Sequence, residues 1–207
     1  MTIKAVIFDM DGVLIDARDW HFEALNEALS IFGFQIGPEE HLKRFDGLST
    51  RKKLQILSDD YNLPRNIHTI IESIKQDRTI RIAAQKCFPN AMHLILLESL
   101  QRQGIQIGMV TNSISNTAEF MTSYAGIRPF LKVLVTNEDV IHQKPHPEGY
   151  IQAMEKLKVS PYETLIIEDG EYGAIAATKS GGTLIRVSGV NQVNLELLTP
   201  YIPELGA

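Results

Sequence analysis

The sequence predicts a doubly wound α/β protein with a parallel sheet and one all-helical insertion, and three observations carry that prediction. From residue 105 onward, short apolar runs alternate with helical periodicities, as in successive strand, crossover helix, strand units. Two apolar runs, Ile3 to Phe8 and Thr164 to Ile167, stop abruptly at acids. Residues 17–87, placed immediately after the first run, show helical spacing throughout.

Ile3 to Phe8 is rich in β-branched residues and has few polar interruptions, the pattern of a strand covered on both faces. Arg18 to Phe34 carries Trp20, Phe22, Ala24, Leu25, Ala28, Leu29 and Phe32 at helical spacing, with Gly33 as a stop. Pro38 opens another helix. A third is expected over Arg51 to Asp60 with Ser49 or Thr50 as N-cap, and a fourth from Pro64 to Cys87. Pro89 then starts a helix closed by Gly104. Strands follow at 105–110, 131–135, 164–167 and 183–187, and helices at 115–124, 146–157 and 173–180. Right-handed crossovers make one α/β core of residues 1–16 and 88–207, with residues 17–87 as a separate helical unit.

The chain has 207 residues, of which 44% are hydrophobic and 22% charged, enough for one good core and a smaller one. A net charge of -5 with no basic stripe argues against nucleic-acid and membrane-surface binding. The charge is uneven. Residues 41–86 hold ten Lys and Arg against five Asp and Glu, net +5, which leaves -10 on the remainder. A basic cover over an acidic base would attract an anionic small molecule, although charge runs are also ordinary solvated surface. Cys87 is the single cysteine, so no internal disulfide forms; with neither a secretory leader nor a membrane span in view, a cytoplasmic location is expected. Oligomeric state is not legible.

Chemistry concentrates at the strand ends. Asp9 and Asp11 lie at i and i+2 on an extended backbone, about 6.6 Å apart on one side. One carboxylate can then attack phosphorus while the other reaches the entering or leaving oxygen, a divalent cation screening their repulsion. Acids at the carboxyl ends of parallel strands also stand where α/β sheets bind ligands. Asp and Gly favour turns as well, so a solvated strand-end turn stays open on the residues alone. Thr111 and Asn112 offer a hydroxyl and an amide where a strand meets a helix, suited to phosphate oxygens or merely to capping. Lys144, held between Gln143 and Pro145, is presented from a stiff loop. Glu168 and Asp169 repeat the design of the first stretch and supply the oxygen donors that Mg²⁺ takes.

Asp9-Met10-Asp11-Gly12-Val13-Leu14-Ile15-Asp16 resembles the first motif of the haloacid dehalogenase superfamily, in the branch containing phosphoglycolate phosphatase and β-phosphoglucomutase. Thr111 resembles the second motif, Lys144-Pro145-His146-Pro147 the third, and Glu168-Asp169 with Gly173 the fourth. The chain departs from the family in carrying Gly170 where Ser or Thr is usual, which loosens the expected orientation of Asp169.

The resemblance implies a Rossmann-like core with an inserted helical cap. It implies a phosphatase of a small phosphate monoester working through an aspartyl-phosphate. Asp9 is then the nucleophile and Asp11 the general acid/base. Thr111, Asn112 and Lys144 bind the phosphoryl group, and Asp9, Asp11 (through its carbonyl), Glu168 and Asp169 hold Mg²⁺. Asp19-Trp20-His21, Gly47 to Arg51 and Lys75 resemble segments of sugar phosphomutase caps, which makes His21, Arg51 and Lys75 candidate substrate contacts; ordinary helix or solvated positions are the stronger explanation of each. A sugar phosphomutase is the alternative activity, and a non-catalytic or signalling phospho-Asp domain the alternative from another class.

Overall fold

In the computed structural model, which describes residues 2–206, five strands form one parallel sheet in the order β3-β2-β1-β4-β5. The chain enters at the centre of the sheet with β1 (Ala5–Phe8), whose four residues are all fully buried. The separate helical unit, residues 17–87, follows.

That unit contains α1 (Arg18–Ser30), a single turn α2 (Pro38–Glu40) running into a π-helical turn (His41–Phe45), α3 (Thr50–Tyr61) and α4 (His68–Lys86). Its core gathers Leu25, Ala28, Leu29, Phe45, Leu54, Leu57 and Ile71. Asn26 pins the chain that leaves α1, donating to Ile36 O at 3.0 Å and accepting from its N–H at 2.8 Å. Three expectations need correction here. The first helix ends at Ser30 instead of Phe34, because Gly33 turns left-handed at φ 77° and the Phe34 N–H folds back onto Leu29 O. The stretch from Pro64 opens as a tight 3₁₀ turn (Arg65–Ile67) before α4 begins at His68. Ser49 does occupy the N-cap of α3, but its side chain makes no capping hydrogen bond.

The α/β unit resumes with α5 (Ala91–Arg102), β2 (Gln106–Val110), α6 (Ser115–Tyr124), β3 (Val133–Val135), α7 (Glu148–Leu157), β4 (Thr164–Glu168), α8 (Glu171–Ser180), β5 (Thr183–Arg186) and a short α9 (Leu195–Leu198). The α5 start moves from Pro89 to Ala91 because the Asn90 side chain caps it, accepting from the Met92 N–H. The α7 start moves from His146 to Glu148, whose carboxylate instead accepts the N–H groups of Ile141 and His142. The third strand is Val133–Val135, the residues in register with β2, although the Lys132 N–H still donates to Ile107 O at 2.9 Å. Apolar runs became parallel strands because both faces are covered. On one face Tyr150, Ala153, Met154 and Leu157 of α7 and Ala176 and Ala177 of α8 pack with Ala5, Ile7, Val110, Val135 and Ile166, and the alternate residues Val6, Phe8, Leu165 and Ile167 are fully buried on the other. β1 lies between β2, which leads toward β3, and β4, which leads toward β5. The chain therefore reverses its direction of travel across the sheet between β1 and β4, the position at which open α/β sheets bind ligands.

Candidate active site

Asp9, Thr111 and Asp169 stand just beyond β1, β2 and β4, Glu168 is the last residue of β4, and Lys144 lies in the loop between β3 and α7. The ladder carries on past β1 through the Asp9 N–H to Ile167 O at 2.9 Å, and past β2 through the Thr111 N–H to Val135 O at 2.9 Å. Both residues are thereby fixed at the carboxyl edge of the sheet, and both are buried. After Asp9 the backbone turns tightly, with Gly12 at φ 85° donating to Ile15 O. A Cβ on Gly12 would run into the Asp169 carboxylate, so the glycine keeps the acid's space open as well as making the turn.

Lys144 is the hub. Its ammonium is 2.6 Å from Asp9 Oδ1, 2.6 Å from Glu168 Oε1 and 2.8 Å from Val110 O, which uses all three of its donors. Asn112 holds the lysine's main chain from both sides: its Oδ1 accepts from the Lys144 N–H at 3.2 Å and its Nδ2 donates to Lys144 O at 3.4 Å. Glu168 accepts a further hydrogen bond from the Tyr150 hydroxyl, and Gly173 is required because a Cβ there would overlap the Glu168 carboxylate. Burial works against the Lys144 ammonium, yet the charges of Asp9 and Glu168 prevail and its pKa is raised. Burial and the neighbouring Glu168 push Asp9 well above the usual carboxylate range, against the pull of Lys144. Burial, then the Glu168 charge, raises the Tyr150 phenol, which keeps it a donor.

Asp9, Glu168 and Asp169 each offer a carboxylate oxygen, and these oxygens lie within 4.8 Å of one another. Clustered hard oxygen donors, with Gly12 preserving the space beside Asp169, fit a small divalent cation such as Mg²⁺. The side chain of Asp11 is not one of that group; its Oδ2 accepts from Ser113 Oγ at 3.2 Å. The hydroxyl of Thr111 accepts from the Ser113 N–H at 3.0 Å. Asp169 lacks a hydroxyl neighbour at Gly170, but Arg186 donates to its carbonyl at 2.9 Å and holds that backbone.

A family model described as haloacid dehalogenase-like hydrolase matches residues 6–187. The chain belongs to that family. This haloacid dehalogenase-like hydrolase is 29% identical to the pyrophosphatase PpaX of Oceanobacillus iheyensis over 87% of its own length and 81% of the relative's. It is 27% identical to the phosphorylated carbohydrates phosphatase of Thermotoga maritima, covering 91% of this chain and 85% of that one. Among solved structures, the β-phosphoglucomutase of Clostridium difficile superposes with a TM-score of 0.83 at 21% identity, over 98% of both chains, a likeness of fold.

The helical unit holds the remaining predicted residues. His21 Nδ1 lies 3.1 Å from Lys75 Nζ, whereas Arg51 is exposed on the first turn of α3. Sequence reasoning overlooked the bond that Tyr150 makes to Glu168. Tyr150 lies three residues past the third motif and reads as an ordinary core aromatic.

Proposed function

We propose that this hydrolase is a Mg²⁺-dependent phosphatase of a small phosphate monoester, acting through an aspartyl-phosphate. The observation that carries the reading is the buried Asp9, 2.6 Å from the Lys144 ammonium and grouped with the Glu168 and Asp169 carboxylates. The names of the curated relatives, a pyrophosphatase and a phosphatase of phosphorylated carbohydrates, support the same class of substrate.

In this reading an Asp9 oxygen forms a bond to phosphorus as the ester P–O bond breaks, and Asp11 delivers a proton to the departing alkoxide. Asp11 then takes a proton from water, whose oxygen displaces Asp9 and releases phosphate. Ser113, bonded to Asp11, fixes the carboxyl that moves the proton. Lys144 and the Thr111 hydroxyl stabilise charge on the phosphoryl oxygens, and Asn112 positions Lys144. Asp9, Glu168, Asp169 and the Asp11 carbonyl would hold Mg²⁺, which when bound neutralises charge on the transferring group and screens the carboxylates from one another. The helical unit acts as a cap that selects the substrate, with His21 and Lys75 as contacts. The single buried cysteine, Cys87, suits a reducing cytoplasm.

The test is phosphate release from a broad panel of monoesters, with Mg²⁺ and with chelator, for the wild type and Asp9→Asn. Cation-dependent release that falls by about a thousandfold or more in the variant is expected; release that persists in Asp9→Asn would remove Asp9 from the nucleophile's role. The pairing of His21 with Lys75 favours a second reading, a sugar phosphomutase. Product isomerised without free phosphate, and activation by a bisphosphate, would decide for it.

A further inference from the structure

Thr111, Asn112 and Ser113 all serve the reaction above, yet they follow β2 in a stretch that is neither helix nor strand. The sheet holds that stretch only as far as its own edge. The last register pair of β2 and β3 is Val110 with Val135, and the Thr111 N–H closes the ladder on Val135 O. Beyond it, one residue at the exit of β3 makes the connection. The Asn137 N–H donates to Ser113 O at 3.1 Å, and Asn137 Nδ2 donates to Asn112 O at 2.8 Å.

Asn112 O and the Ser113 N–H belong to one planar peptide unit, and its N–H donates to the Thr111 hydroxyl at 3.0 Å. Asn137 thus fixes the oxygen end of the plane and Thr111 the nitrogen end, so the plane cannot swing without breaking a bond. The side chains on either side of it reach the reacting groups. The Asn112 amide brackets the Lys144 main chain at 3.2 Å and 3.4 Å, and Ser113 Oγ donates to Asp11 Oδ2 at 3.2 Å.

The turn that carries Asn137 is braced in its own right. Asp139 Oδ2 accepts from the Thr136 N–H at 2.8 Å and from the Thr136 hydroxyl at 2.7 Å. Ser115 Oγ lies 2.9 Å from Thr136 Oγ1, and the Ser115 N–H donates to Glu138 Oε2 at 2.7 Å. Asn137 therefore works from a fixed base.

We propose that Asn137 is a positioning residue of the active site: its side-chain amide, by holding the Asn112–Ser113 peptide, sets the placement of Lys144, the Thr111 hydroxyl and the Asp11 carboxyl. The effect on rate rests on the phosphatase reading, whereas the placement rests on the hydrogen bonds alone. The donor N–H is the essential part. Aspartate has the same shape but would turn an oxygen toward Asn112 O, so Asn137→Asp removes the bond without removing volume. One neutral hydrogen bond matters little to folding, but a small displacement of a charge-stabilising group matters much to rate.

The first arm of the test needs no turnover. Amide hydrogen exchange is followed by NMR in the full-length wild type, Asn137→Asp and Asn137→Ala. The Lys144 N–H is bonded to Asn112 Oδ1 and not to Asn137, so its exchange reports a displacement passed on through Asn112. It should quicken severalfold in both variants, while the Ile7 amide of β1 exchanges as in the wild type. The alanine variant adds no charge and keeps the test decisive should the aspartate impair folding. The second arm measures kcat and KM on an ester that the wild type hydrolyses. A kcat lowered about tenfold or more in both variants, with KM changed less, is expected of misplaced chemical groups. Lys144 exchange at the wild-type rate, or an unaltered kcat beside quickened exchange, would overturn the positioning role. A wild type that releases phosphate from no ester would end the phosphatase reading instead, and the exchange rates would still decide whether Asn137 places Lys144.

Discussion

The Lys144 ammonium lies 2.6 Å from Oδ1 of Asp9 in a place where both side chains are largely removed from bulk water. Two charges removed from solvent stay ionised only together, and here the lysine also serves Glu168. The pair therefore ties the integrity of the strand ends to the reactivity of Asp9.

Replacing Lys144 with Met leaves Asp9 and Glu168 facing each other without a cation. The expected result is a loss of stability of about 3–5 kcal/mol, the usual consequence of removing one partner from a buried pair. Turnover should fall about a hundredfold or more, as when one charge-stabilising donor is removed. Denaturant unfolding and phosphate-release kinetics measure the two effects separately. An equally stable variant would mean that the carboxylates relieve their repulsion by another route.

Gly12→Ala tests the acid that faces it. The new Cβ would occupy the space of the Asp169 carboxylate, and the backbone at φ 85° disfavours a side chain in any case. Mg²⁺ affinity measured by calorimetry should weaken by about 10–100-fold, the range found when a ligand's support is altered. Gly170→Ala is the comparison, since nothing lies within 4 Å of the added methyl group; its Mg²⁺ affinity should match the wild type. Equal affinities for both variants and the wild type would take Asp169 out of the cation site.

The fold and the strand-end acids were legible in the sequence for one physical reason. Strands buried on both faces must be apolar, so Ala5 to Phe8 and Thr164 to Ile167 read as uninterrupted runs, and the first charge after each marks the edge of the sheet. Helix ends were less legible because they depend on capping choices: Asn90 displaced Pro89 as the origin of α5, and Glu148 spent its carboxylate on the loop ahead of α7. Ser49 looked like a capping hydroxyl and is not one. Tyr150 stayed hidden because an aromatic at helical spacing packs in a core whether or not its hydroxyl bonds a glutamate. Asn112, expected at the phosphate, spends both ends of its amide on the Lys144 main chain, a contact 32 residues away that local pattern cannot reveal.

Tyr150→Phe removes the hydroxyl that donates to Glu168 and changes nothing else in the volume of the core. A hydrogen bond to a buried charged group is worth about 1.5–3 kcal/mol, so a lower unfolding midpoint of that size is expected. Glu168 would then be oriented by Lys144 with one donor fewer, and Mg²⁺ affinity should fall with stability. A variant with lowered stability and unaltered cation affinity would confine Tyr150 to a packing role.

The last prediction concerns acid. His41 lies against the Phe22 ring and is faced by Lys53, His21, Arg18 and Asp46; burial, then the Lys53 charge, lowers its pKa from 6.5 to about 4. The folded protein thus keeps this imidazole neutral where the unfolded chain would take up a proton. The stabilisation is complete above pH 6.5 and is lost as the pH falls through about 4. Each pH unit in that window can remove up to about 1.4 kcal/mol, roughly 3 kcal/mol in all. The wild type should lose more stability between pH 7 and pH 4 than His41→Gln, which carries no titrating group at that position. Urea unfolding of the two proteins across the range gives the difference directly. Parallel curves would show that the imidazole accepts its proton as readily in the folded helical unit as in water.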